Sequence, residues 1–135
     1  MLDRIGSMRK RNGFSLIEML MVVTVTGLLA MIVMIQVGSI RSRAYLTALR
    51  SDLRNFAVAQ ESFYYDYDIY SADTTILSVR GFQTSEGSSI VINEATISGW
   101  AASASHTGTP ELCYMFIPGA SPVGVADEPG VIRCG

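Results

Sequence analysis

Few side chains in this sequence are suited to chemistry, and their spacing matches no catalytic site. His106 is the only histidine, and Cys113 and Cys134 are the only cysteines. The sequence has no phosphate-binding loop, no spacing typical of zinc ligands and no nucleophile motif. A lone histidine is more often a polar residue at a strand end than a base or a ligand. We therefore expect no enzymatic activity, no metal and no cofactor.

A short acidic cluster is the one group that suggests an ion. Asp66, Asp68 and Asp73 could bind calcium, but their spacing does not match an EF-hand loop, so solvated turn residues are the default interpretation. The whole chain carries 10 Lys and Arg against 12 Asp and Glu, a net charge of −2. This balance argues against a nucleic-acid-binding protein of the basic type.

Glu18 is unusual because of its surroundings. It interrupts an apolar stretch that begins at Phe14, and a carboxylate inside a bilayer usually has a partner or a function. No cation follows within one helical turn. Cleavage of the chain between Gly13 and Phe14 would create one, the α-amino group of Phe14. The alternative is that Glu18 lies at headgroup level and is simply hydrated.

The element that carries Glu18 is predicted to cross a membrane. Residues 19–40 contain no charge, and as a helix they would span about 33 Å. A core helix is disfavoured because so small a chain cannot surround it. A cleavable secretory signal, with a weak site at residues 37–39, is a second alternative, but its apolar region would normally be about 7–15 residues long.

The orientation of this segment follows from two weaker observations. Residues 1–13 carry a net charge of +3, concentrated in residues 9–11, which favours a cytoplasmic N-terminus. Four arginines between residues 41 and 54 reduce that bias. The paired cysteines near the other end suggest a disulfide in an exported domain, with two buried free thiols as the alternative. Together they place the C-terminal part outside.

Residues 9–18, with the sequence RKRNGFSLIE, resemble the prepilin signal of type IV pilins and pseudopilins. The resemblance implies that a prepilin peptidase cuts between Gly13 and Phe14 and methylates the new amino group of Phe14. Residues 1–13 would be the removed leader. Residues 14–40 would be the transmembrane and filament-core half of a long helix, and residues 41–135 would be the exported head domain.

The same resemblance implies a structural subunit of a type IV pilus, which polymerises through its apolar helix for adhesion, motility or DNA uptake. Its partners would be the prepilin peptidase/methyltransferase, other pilin subunits, the assembly platform and the inner membrane that holds it before assembly. Glu18 would set the register of the polymer by pairing with the Phe14 amine of a neighbour.

Two alternatives to a pilus subunit remain open. The alternative within the family is a pseudopilin of a type II secretion or DNA-uptake system. The alternative from another class is a bitopic, membrane-anchored binding module, which leaves the arrangement of Gly13, Phe14 and Glu18 as a coincidence.

The rest of the chain predicts an α+β fold. No glycine occurs between Gly38 and Gly81, so one helix can run from near Phe14 to about Tyr65, with two helices joined near Gly38 as the alternative. Beyond residue 40, mostly apolar residues recur at steps of three and four, which places them on one face of a helix, as expected for burial under a sheet. These residues are Leu46, Leu49, Leu53, Phe56, Gln60 and Phe63.

A small antiparallel sheet of three to four strands is predicted to cover that helix. The β-rich runs are residues 89–94, 97–106 and 112–117, with a return to the sheet at residues 131–134 after a loop. A bridge between Cys113 and Cys134 would close a loop of 22 residues and stabilise the head by about 3 kcal/mol. Its position resembles the C-terminal disulfide loop of type IV pilins.

Overall fold

The computed structural model describes residues 13–135, apart from the side chains of residues 35 and 36. The leader cluster at residues 9–11 lies outside the described residues. The chain divides into two compact units, which meet between Gly38 and Ser39. The first carries the apolar segment, and the second, from Ser39 to Gly135, carries the sheet.

A single helix, α1 (Leu16–Tyr67), runs through both units, so the prediction of one helix rather than two is confirmed. It is long and apolar enough to cross a membrane, and its most apolar stretch has no buried residue. The helix ends at Tyr67, and the next residue, Asp68, adopts a left-handed backbone with φ of 56°. Aspartate tolerates this conformation better than most residues, so it can end a helix where glycine is absent.

A second helix, α2 (Thr74–Val79), lies between α1 and the sheet and was not among the elements predicted from the sequence. Asp73 is the N-cap that begins this helix, because its Oδ1 accepts a hydrogen bond from the backbone N–H of Thr75 at 2.7 Å. This is the usual way in which an aspartate begins a helix. The six residues that follow are too few for a recognisable apolar period, which explains why the pattern did not predict the helix.

The sheet has four strands in sequence order, each antiparallel to the next: β1 (Ser88–Ala95), β2 (Trp100–His106), β3 (Thr109–Phe116) and β4 (Arg133–Cys134). The α+β prediction is therefore confirmed. The register of β1 on β2 shifts between Ile92 and Glu94, and that of β2 on β3 shifts between Ala104 and His106. Such bulges bend and twist a sheet locally.

The second half of α1 buries its predicted stripe against one face of this sheet. Leu49, Leu53 and Phe56 are fully buried, and Trp100 of β2 meets Phe56 edge to face at 4.9 Å between ring centroids. Each such side chain contributes about 1.5–3 kcal/mol relative to an exposed one. A smaller cluster of Ala101, Phe116 and Ala126 lies apart from this core.

Candidate processing and assembly site

The residues around the predicted cleavage site precede α1 in non-helical backbone. Residues 13–15 have no regular structure, and Phe14 is 79% exposed. A Cβ added at Gly13 would meet no atom within 4 Å. The peptide between Gly13 and Phe14 therefore lies outside the helix and uncovered by the described residues, as a protease substrate requires.

Glu18 begins the helix as well as interrupting the apolar surface. Its Oε2 accepts a hydrogen bond from the backbone N–H of Ser15 at 2.8 Å, and the carbonyl of Ser15 accepts from the N–H of Met19. Ser15 is thus the N-cap residue and Glu18 is three positions into the helix, which is half of a capping box. The sequence carries this signal, a serine followed three residues later by a glutamate, but the apolar run alone does not reveal it.

Phe14 and Glu18 share one side of α1. Both line a shallow, mostly apolar groove that continues along Met21, Val22 and Val25. In the intact chain Phe14 has a peptide nitrogen and not an amine, so it offers Glu18 no charge partner, and Glu18 accepts a hydrogen bond from the Ser15 amide. The pairing of Glu18 with a Phe14 amine stays a prediction about the cleaved protein.

The two cysteines lie opposite each other on neighbouring strands. Cys113 of β3 faces Cys134 of β4, and a disulfide joins the two residues in the structure. Leu112 and Gly135 exchange both backbone hydrogen bonds, so the cysteines occupy the adjacent non-hydrogen-bonded position, where side chains come closest. Cys113 is fully buried in the main core, so the pair ties the last strand to it.

His106 has a structural role in the turn between β2 and β3. Its Nδ1 accepts from the backbone N–H of Gly108 at 2.8 Å, and its Nε2 lies 3.1 Å from the carbonyl oxygen of Glu86. The neutral ring with its proton on Nε2 satisfies both contacts. The ring also stacks on Tyr45 of α1 at 4.2 Å.

The acidic cluster makes contacts within the head. Asp66 forms an ion pair with Arg80, whose guanidinium lies 5.2 Å from the centre of the Tyr67 ring. This pair raises the pKa of Arg80. The hydrogen bonds of Asp73 to Thr75 lower the pKa of Asp73. Within residues 13–135 no three His, Cys, Asp or Glu side chains are grouped so that they could hold a metal ion.

The comparisons with known proteins concern the N-terminal part of the chain. Residues 8–34 match the family model of the prokaryotic N-terminal methylation motif. No curated protein matches the chain significantly. The match includes Gly13, Phe14 and Glu18 and continues into the apolar helix, which is consistent with anchoring in the inner membrane. The chain therefore carries the type IV prepilin-like methylation signal, which supports a protein of the type IV pilin or pseudopilin family.

Proposed function

We propose that this chain is a structural subunit of a type IV pilus, which polymerises through the apolar part of α1 after removal of residues 1–13. The observation that carries the proposal is the methylation motif at the start of a helix whose apolar side chains are exposed. A helix in a bilayer and a helix in a filament core need the same apolar surface. One segment can therefore serve first as the anchor and then as the polymer contact.

Contacts between different surfaces of identical subunits produce an open fibre when they do not close into a ring. Glu18 gives such contacts a register. Its carboxylate would meet the amine of Phe14 on a neighbouring subunit, and burying either charge alone is costly. Wrong registers are rejected for that reason. The prepilin peptidase, an assembly platform and other pilins are the partners that this function requires.

The first experiment tests processing. We expect a mature N-terminus at Phe14, carrying a methyl group, because the motif places the cut after Gly13. Mass spectrometry of the protein from the membrane fraction gives the answer. A chain that keeps its first residue, or one cut near Ser39, would contradict the proposal. A bulky residue in place of Gly13 should block cutting and serves as the control.

The second experiment separates the two roles of Glu18. Glu18→Ala should leave cleavage and membrane abundance largely intact and severely reduce the yield of sheared filaments, because the charge pair is lost. Glu18→Gln is the matched control, since its amide oxygen can still accept the hydrogen bond from Ser15. If the charge matters, both variants fail to assemble.

The possible outcomes identify which step needs Glu18. Normal assembly of Glu18→Gln beside failure of Glu18→Ala would assign Glu18 to helix capping alone. Normal assembly of fully processed Glu18→Ala would remove Glu18 from assembly. Failure of cleavage would instead place its role in recognition by the peptidase.

A further inference from the structure

The charges of the second compact unit, residues 39–135, are divided between two regions. Residues 41–54 contain four arginines and one acidic residue, Asp52, which is buried and accepts hydrogen bonds from Ser85. Residues 55–135 contain two basic and nine acidic residues, a net charge of −7. The exposed charge of the head therefore changes sign along α1.

Three of the four arginines form what we call the arginine face. Arg43, Arg50 and Arg54 are separated by seven and four residues, so they lie on the same side of α1, and all three are exposed. None has an ion-pair partner within the part of the chain that the structure describes. Arg50 and Arg54 border a groove whose other walls, Met115 and residues 130–132, carry no charge.

The opposite end of this helical segment forms what we call the acidic end, comprising Glu61, Asp66, Asp68 and Asp73. All four are exposed, and Arg80 is the one cation that the described structure pairs with them. The last turn of α1 contains no basic residue. Asp66 and Asp68 lie at the C-terminal end of α1, where negative charge is unfavourable beside the helix dipole.

The two regions are too far apart along the helix to neutralise each other fully within one copy. The nearest members, Arg54 and Glu61, are separated by a rise of about 10 Å, and Arg50 and Asp66 by about 24 Å, against a Debye length of about 8 Å at physiological salt. They can meet if a second copy lies parallel to the first and is shifted along the helix axis. When two copies are joined in this way, one arginine face and one acidic end remain free. Each can bind a further copy, so the contact repeats without closing into a ring.

We propose that the arginine face of one subunit docks against the acidic end of a second copy of this chain. The proposal rests on the proposed function, since it names the head surface that accompanies assembly of the apolar helices. Exposed ion pairs are individually weak. The contact therefore determines how far neighbouring heads are displaced from each other along the helix axis. The apolar segment supplies most of the attraction between subunits.

The test uses full-length chains and two charge reversals. Arg50→Glu with Arg54→Glu reverses the arginine face, and Glu61→Lys with Asp68→Lys reverses the acidic end. Each double variant alone should give roughly tenfold less sheared filament than the unaltered chain, because like charges then face each other. Co-expression of the two double variants should restore filaments that contain both chains, since each then offers the other a complementary surface.

The matched control is a pair of single variants. Arg43→Glu and Arg41→Glu make the same charge change two residues apart, but Arg41 lies on the opposite side of the helix. Only Arg43→Glu should lower the filament yield. A general effect of net charge would lower both equally and would overturn the proposal.

Restoration on co-expression also excludes misfolding, because a misfolded chain cannot be rescued by another variant. Loss of filaments from the arginine variant alone, with no effect of the acidic variant, would assign the arginines to an anionic surface other than this chain and overturn the proposal. Absence of filaments from the processed, unaltered chain would instead contradict the proposed function itself.

Discussion

The two carboxylate oxygens of Glu18 can serve two partners at once. Oε2 accepts the hydrogen bond from the Ser15 amide, whereas Oε1 has no partner among residues 13–135. Removal of residues 1–13 leaves Ser15 in place, so the cap can persist in the mature protein. The remaining oxygen can then accept the Phe14 amine of a neighbour, and helix capping and the proposed charge pair are compatible.

Tyr70 provides a pH-dependent prediction at the residue scale. Burial and its hydrogen bond to Glu61 raise the pKa of Tyr70 to about 12, from an unfolded value of about 10. The folded state therefore favours the neutral phenol. Its contribution to stability is complete below pH 10 and is lost as the pH rises from 10 towards 12.

The measurement is an absorbance titration of the tyrosines at alkaline pH. The difference between the unaltered chain and Tyr70→Phe should show a transition centred near pH 12. A difference transition near pH 10 would mean that neither the burial of Tyr70 nor its hydrogen bond to Glu61 is present in solution. Tyr65→Phe is the matched control, because that ring is 88% exposed and makes no hydrogen bond to Glu61.

The helices and strands were predictable where apolar residues recur at a regular spacing in the sequence. The stripe from Leu46 to Phe63 follows the helix period, and the strands lie within a few residues of the β-rich runs. The hydrogen bonds between Asp52 and Ser85 were not predictable, because they join residues far apart in the sequence. Two polar residues also form no periodic pattern that the sequence could reveal.

The pairing of β3 with β4 yields a prediction about the cysteines. We expect a disulfide between Cys113 and Cys134 in the exported protein, because β3 and β4 place the two residues opposite each other at a non-hydrogen-bonded position. Alkylation without prior reduction should label neither thiol. Replacing both cysteines with alanine should lower the free energy of unfolding by about 3 kcal/mol or more, which chemical denaturation can measure.

Two freely labelled thiols on protein recovered from outside the cell would contradict the disulfide. A single replacement at Cys113 or at Cys134 should destabilise the head about as much as the double replacement, because either one removes the bond. Cys113 carries an additional cost, since it is fully buried in the core.

At the scale of the whole molecule, residues 41–135 should form a soluble, monomeric protein. The compact unit that contains the sheet begins at Ser39, and the main core lies within it. Without residues 14–40 the fragment lacks the exposed apolar surface to which the proposed function assigns anchoring and assembly. The weak ion pairs of the arginine face are too few to hold copies together.

Analytical ultracentrifugation measures the mass of this fragment, and circular dichroism measures its fold. A fragment that still assembles into filaments would show that the polymer contact lies in the head. An unfolded fragment would show that the sheet needs the first half of α1. The unaltered full-length chain, prepared in detergent, provides the comparison.

The candidate site was predictable because its residues are close together in the sequence. Gly13, Phe14 and Glu18 lie within six positions, and the basic leader and the apolar helix flank them. The separation of positive and negative charge on the head was harder to predict from the sequence. The arginine spacing is visible in the sequence, but only the fold shows that Asp52 is buried and that these arginines have no ion-pair partner among residues 13–135.

The bulge in β1 and the shortness of β4 affect how closely neighbouring head domains can pack. Copies held side by side bring sheet edges together at high local concentration, where unpaired edges could join into continuous sheets. The bulge between Ile92 and Glu94 distorts one outer strand, and β4 has only two residues. Both edges therefore resist extension, which lets many heads be packed closely without merging into aggregates.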